Sequence, residues 1–303
     1  MPELPEVETT KRGLKKTIVG LSIKDVWTEY NSPYFHGSDT IKDPAYFRYF
    51  RKTIKNAKIK NVDRRAKNIL IQLSPTPSAS SHSPSGRGRK TILIHMKMTG
   101  HLMYGNYNRK DPLNRHIRLI FYLSNGKTLE LCDTRKFAKV TLLPTETMNE
   151  TIHLKGIGPE PLEKKFTFEV FKKQISRKPN GKIKLVLMDQ YIIAGIGNIY
   201  ADESLWRAGI HPESVVSKIP NEKLKKLYKT ILFTLSRGID FGGDSMSDYR
   251  NIHGERGKFQ LHHEAYRRTG EKCRKKGCSG VIVRIVVGGR STHFCNVHQR
   301  LIS

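Results

Sequence analysis

The sequence predicts an α+β chain: a mainly β first half, a helical second half and a short terminal hairpin. Three observations predict it. Apolar and polar residues alternate over short runs up to about residue 150, as at Ile69, Ile71 and Leu73. After Gly158-Pro159-Glu160-Pro161 the spacing becomes helical, with Phe168, Phe171 and Ile175 on one side. Near the end, Cys273, Cys278 and Cys295 cluster, leaving Cys132 apart. A chain of 303 residues accommodates two domains and a small appendage, here expected at 1–150, 151–260 and 261–303.

The chain opens MPELPEVETT. Pro5 suits a first helical turn, and Val7, Leu14 and Ile18 fall roughly on one face, so a helix is expected from about Pro5. Residues 21–74 read as strands. Residues 75–89, PTPSASSHSPSGRGR, lack core-forming side chains and read as a flexible loop ending in basic residues. Strands resume at ILIHMKM and run through HIRLIFYLSNGKTLEL, where Asn125-Gly126 signals a hairpin. Short antiparallel strands of this kind favour a β-sandwich. In the second half, helices are expected over 166–177, 183–189, from Asn198 onward, and over 224–235. Residues 266–303 read as short strands around the cysteines.

Charge narrows the function. Lys and Arg total 55 against 27 Asp and Glu, a net charge of +28. That excess excludes an ordinary metabolic enzyme and calls for a polyanionic partner, nucleic acid first. A membrane surface is disfavoured, because there is no long apolar span and no amphipathic basic anchor. The charged N-terminus lacks the apolar region of a signal peptide. The cysteine usage suggests metal in a reducing compartment rather than a disulfide framework.

Three stretches carry chemistry. A small second residue permits removal of Met1, which would leave Pro2 with a free secondary amine titrating near ~8. Attack of that amine on a sugar C1′ gives an iminium ion with no N–H proton to lose, an electron sink. Glu3 and Glu6 place carboxyl groups beside it; the same acids also suit a plain helix start. At residues 194–198, AGIGN, glycines before a helix let backbone N–H groups converge on a phosphate, with Asn198 as a further donor, or simply form a tight interhelical turn. Finally, Cys273-x4-Cys278-x16-Cys295-x2-His298 offers two close ligand pairs for tetrahedral zinc. Gly288-Gly289 is a two-residue hairpin turn between them, with Arg290 at the tip. Buried free thiols with an incidental histidine are the plainer alternative.

The opening MPELPEVE resembles that of the formamidopyrimidine-DNA glycosylases, the Fpg branch of the Fpg/Nei repair family. GIGNIYADESLWRAGIHP is similar to that family's helix–two-turns–helix signature, and the cysteine pattern to its C-terminal zinc finger. The finger departs from the usual pattern twice, in the four-residue first spacing and in His298 for a cysteine. The resemblance spans nearly the whole chain. It implies an N-terminal β-sandwich domain flanked by helices, a helix–two-turns–helix domain and a β-hairpin zinc finger holding one zinc ion.

By resemblance, Pro2 is the nucleophile and Glu3 the acid that assists base departure, with Glu6, Lys67 (in Arg64-Arg-Ala-Lys-Asn68) and Arg290 in support. Met98 (in Met96-Lys-Met-Thr-Gly100), Arg135 and Phe137 (in Asp133-Thr-Arg-Lys-Phe137) match residues that fill the gap left by an everted nucleotide. His116, Lys184 and Asn198 match DNA-contacting positions. The implied partner is double-stranded DNA carrying an oxidised base or an abasic site, handled by a monomer in the bacterial cytoplasm. The implied substrates are oxidised purines. At 253–256, His-Gly-Glu-Arg replaces the family's usual loop tip, so an endonuclease VIII-like choice of oxidised pyrimidines stays open, as does a non-enzymatic zinc protein that binds damaged DNA.

Overall fold

The computed structural model describes residues 1–30, 32–74, 88–106, 114, 116–246 and 248–302. The expected Pro/Ser-rich loop lies outside the described residues except for Gly88 and Arg89. The chain forms two compact units: Met1–Pro2, Glu6–Lys155 and Asp244–Gly257 make the first, and Glu3–Pro5, Gly156–Gly243 and Lys258–Ser303 the second.

The first unit contains most of α1 (Leu4–Thr17), then β1 (Ile23–Thr28), α2 (Pro44–Ile54), β2 (Ile59–Arg65), β3 (Asn68–Leu73), β4 (Lys90–His95), β5 (His101–Gly105), β6 (Ile117–Leu123), β7 (Thr128–Cys132) and β8 (Lys139–Pro144). The strands make two four-stranded antiparallel sheets, β1-β6-β7-β5 and β2-β3-β4-β8. Inward residues of both sheets share one core with Val7, Leu14 and Ile18 of α1 and Phe50 and Ile54 of α2. The helix α2 corrects the expectation of strands throughout 21–74. Its start was readable: Asp43 accepts the amide protons of Ala45 and Tyr46, and Pro44 sits in the first turn. The residues at 47, 50 and 54 then recur at a helical period. The segment Asp244–Gly257, expected with the helical domain, belongs to this unit. Its Ile252 enters the first core and accepts a backbone bond from Tyr104.

The second unit holds α3 (Phe168–Ile175), α4 (Ile183–Met188), α5 (Asn198–Ala208), α6 (Asn221–Asp240) and the hairpin β9 (Ile282–Val287) and β10 (Arg290–Cys295). Thr167 caps α3 through Val170 N. The helix α5 is buried nearly all round, from Tyr200 to Trp206. Arg290 pairs with Val287 across Gly288 and Gly289, whose φ values of 55° and 73° are those of a two-residue primed turn. Among the described residues, no helix is long and apolar enough to cross a membrane.

Candidate active site

Met1 is present and exposed, and Pro2 beneath it is buried, so the Pro2 nitrogen is here an amide. Removal of Met1 is the step that would turn it into an amine. The next residue, Glu3, is 2% exposed. Its carboxylate accepts the backbone N–H of Ile199 at 3.0 Å and of Tyr200 at 3.4 Å. These are first-turn donors of α5, so a side chain of the same unit takes part of the helix N-terminus read as a phosphate site or a tight turn. The helix N-terminus already holds an anion, the Glu3 carboxylate, which satisfies orphan N–H groups and faces the positive end of the helix dipole. Gly197 is what lets it in: a Cβ there would lie 2.3 Å from the Glu3 carboxyl carbon. Gln190 fixes the turn before it, donating to Ile196 O and accepting from Gly195 N, both at 2.8 Å.

Around α5 the second unit brings several expected residues together. Asn198 Nδ2 donates to Ser291 O on β10 at 2.9 Å, so its donor serves the hairpin rather than standing free for phosphate. Lys184, expected to meet DNA, is wholly enclosed. Its Nζ contacts Asp202 Oδ1 at 2.7 Å and donates to Thr292 Oγ1 at 2.7 Å and to Ser291 O at 3.1 Å. Burial pushes its pKa down while Asp202 opposes the shift. Asp202 also receives the His293 backbone N–H at 2.9 Å. Lys184 is therefore a strut between α4, α5 and the hairpin. The exposed Arg290 is the next residue along.

In the metal cluster, ligand atoms of Cys273, Cys278, Cys295 and His298 lie within 4.8 Å of one another. His298 turns Nδ1 toward the thiols, 3.4 Å from Cys273 Sγ, while Nε2 bonds Trp206 O at 3.0 Å. A ring anchored on one nitrogen and presenting the other is the usual arrangement of a zinc-ligating histidine. Three thiolates and an imidazole suit zinc. His293, the competing imidazole, is committed to Asp202.

The first unit carries the other candidates. Glu6 is buried and accepts Asp244 N at 2.7 Å, while its carbonyl accepts the Tyr249 hydroxyl. These bonds root the 244–257 segment on α1. Lys67, also buried, occupies the β2–β3 turn after Ala66. That turn is tied to α1 by Arg64, which bonds Glu8 at 3.0 Å and Ala66 O at 3.0 Å. Met98 and Phe137 are exposed by 38% and 48%, and the Arg135 guanidinium lies 4.5 Å from the centre of the Phe137 ring. The His116 carbonyl accepts the Asp133 backbone N–H.

Sequence reasoning missed two things here. Ala66 (φ 51°), Lys97 (φ 55°) and Lys136 (φ 56°) are left-handed without being glycine, and each adjoins a candidate residue: Lys67, Met98, and Arg135 with Phe137. Such backbone strain gathers at functional loops. The other omission is the bonding partners Glu8, Asp133 and Asp202, which are long-range and leave no local signal.

Three family models match: the formamidopyrimidine-DNA glycosylase N-terminal domain over residues 1–140, the formamidopyrimidine-DNA glycosylase H2TH domain over 157–250, and the zinc finger found in FPG and IleRS over 270–297. The formamidopyrimidine-DNA glycosylase of Cytobacillus firmus is 36% identical over 97% of this chain and 98% of its own. That of Bacillus subtilis (strain 168) is 37% identical, again over 97% and 98%. Among solved structures, Lactococcus lactis Fpg in complex with DNA containing an abasic site has a TM-score of 0.82 at 32% identity, covering 98% of this chain and 99% of that one. The wild-type Lactococcus lactis enzyme with N7-benzyl-Fapy-dG DNA gives 0.81 at 32% identity, with 99% and 100% covered.

Proposed function

This chain belongs to the formamidopyrimidine-DNA glycosylase family, and we propose that it removes oxidised purines, 8-oxoguanine and formamidopyrimidines, from double-stranded DNA and then cleaves the strand as an abasic-site lyase. Loss of Met1 frees the Pro2 amine, a useful fraction of which is neutral at pH 7. The amine attacks C1′ and the base departs, with Glu3 delivering a proton to the sugar oxygen directly or by relay. The iminium draws electrons from C2′, whose proton is lost as the first phosphate leaves. The second elimination follows with Arg290 against the remaining phosphate, leaving a one-nucleotide gap. Lys67 and Glu6 assist proton transfer and hold the amine's geometry. Met98, Arg135 and Phe137 fill the vacated stack. His116 and the hairpin meet the backbone, which makes affinity steeply salt dependent. Cys273, Cys278, Cys295 and His298 would hold one zinc ion that fixes the hairpin. The enzyme acts as a monomer on DNA in the bacterial cytoplasm.

The observation that carries this reading is the Glu3 carboxylate, held by α5 one residue from the terminus that trimming would create. Borohydride trapping tests it. Protein lacking Met1 should give a covalent adduct with abasic duplex DNA, and Met1-retaining protein should give none. An undiminished adduct from the blocked protein would move the nucleophile to a lysine. Excision from duplexes carrying 8-oxoguanine or thymine glycol decides the lesion class.

A further inference from the structure

We infer that Asp133 and Thr99 form a latch that makes the two gap-filling loops of the first unit act as one wedge. The inference rests on the proposed glycosylase reading. The Asp133 carboxylate is fully buried. One oxygen accepts the Thr99 hydroxyl at 2.5 Å; the other accepts Ala138 N at 2.7 Å and the Tyr30 hydroxyl at 3.2 Å. Thr99 Oγ1 in turn accepts Arg135 N at 3.1 Å. The neighbour of Met98 is thereby bonded to the loop that carries Arg135 and Phe137 at Asp133 and at Arg135, and Asp133 ties the far end of that loop through Ala138.

The latch has a task. Lys97 and Lys136 hold left-handed backbone beside Met98 and Phe137, conformations that lysine does not adopt without support. The Thr99 hydroxyl and the Asp133 carboxylate together bond one loop to the other. The hydroxyl donates to a buried carboxylate and accepts from Arg135 N. Side-chain hydrogen bonds to an ionised acceptor are the strong kind. Met98 and Phe137 are exposed and must enter a base stack together, since either alone leaves part of the vacated space open. In the latch, Thr99 and Asp133 act through Met98, Arg135 and Phe137; they are positioning residues.

The distinguishing feature is the substrate's second strand. In a duplex the wedge must replace the everted nucleotide against its partner. A single-stranded abasic oligonucleotide has no such stack, while the attack at C1′ is unchanged. Thr99→Val keeps shape and removes the hydroxyl; Thr99→Ser keeps the hydroxyl. Borohydride adduct formation should be timed on duplex and on single-stranded abasic DNA at matched salt. The expected result for Thr99→Val is a duplex-to-single-strand ratio about tenfold below that of the wild type, as suits loss of a charge-assisted bond. Thr99→Ser should return the ratio to the wild-type value. A wild-type ratio in Thr99→Val overturns the latch. So does an equal fall on both substrates accompanied by a lowered melting temperature, which would make Thr99 merely structural. Absence of any adduct from the wild-type protein would instead sink the proposed function, a separate outcome.

Discussion

The two units differ in which of their candidate residues they expose. In the first, Met98, Arg135 and Phe137 are exposed on short loops, and what is buried beneath them is a support, Asp133. In the second, Glu3, Lys184, Asp202, Glu203 and His293 are all buried and satisfied by one another or by backbone; Glu203 alone takes the N–H groups of Glu264, Ala265 and Tyr266. One region reaches outward on loops that a single carboxylate keeps in register. The other fixes a frame from which Arg290 at the hairpin tip stays exposed. Matching single residues to a family motif therefore carries no information on burial: Met98 and Phe137 are presented to solvent, whereas Lys184 is enclosed by neighbours distant in sequence.

The largest expected effect is on the frame. Structural zinc in a finger contributes on the order of 10 kcal/mol of folding free energy. Stripping metal with a strong chelator should melt the β9–β10 hairpin and abolish DNA binding while the first unit's β-sheet circular dichroism persists. Sheet loss in parallel with hairpin loss would refute the idea of two independently ordered regions. Next comes Gly197→Ala, whose Cβ cannot share space with the Glu3 carboxyl. Base excision should fall about 100- to 10,000-fold, the usual worth of a positioned acid. Trapping of a preformed abasic site, which needs no base departure, should survive. Equal loss of both activities would mean that Gly197 supports folding rather than Glu3.

Much of this molecule was legible in its sequence because the signals were local. The Asn125-Gly126 hairpin, the Gly288-Gly289 turn and the paired metal ligands all depend on residues within a few positions of each other. In the structure His298 lies with the three cysteines, while His293 is held elsewhere by Asp202. What was illegible depends on distance or on backbone alone. Nothing in MPELPEVE says that Glu3 will cap a helix nearly 200 residues away, and 194–198 read as a phosphate site or a tight interhelical turn without it. Nothing in Lys97 or Lys136 announces a positive φ. The helix α2 is a different failure: Asp43-Pro44 marked its start, and the alternation on either side masked it.

Burial also predicts where charge removal hurts. Lys184→Met should destabilise by about 3–5 kcal/mol, because Asp202 would remain as an uncompensated buried charge. Adding Asp202→Leu should recover much of the loss in urea melts; no recovery would show that Lys184 acts through Thr292 and Ser291 instead. A smaller effect belongs to two histidines of the first unit. Burial holds His95 near about 3 and His101 near about 4, against an ordinary 6.5. Both stay neutral when folded, so their contribution is intact above pH 6.5. As pH falls from 6.5 toward 4, the unfolded chain takes up protons that the folded chain refuses. Each histidine then costs about 1.4 kcal/mol of stability per pH unit. Denaturation of His101→Gln at pH 7.5 and pH 5 should show a shallower loss than the wild type; an unchanged slope would argue that its burial is not maintained in solution.

The smallest effect marks the other end of the comparison. Arg51 and Asp25 make a two-pronged ion pair on the first unit, with bonds of 2.7 and 2.6 Å, shorter than most in the buried network. Arg51 holds the Asp25 carboxyl down to about 2. Yet both side chains are substantially exposed, 51% and 34%. Water screens the attraction and would solvate whichever partner remained, so Arg51→Ala should cost only about 0.2–1 kcal/mol, fading as salt rises. The Lys184–Asp202 contact is no shorter, at 2.7 Å. If the two single substitutions proved equally damaging in the same urea titration, enclosure could not be the variable that separates the two units' chemistry. A several-fold difference at matched bond length would establish that it is.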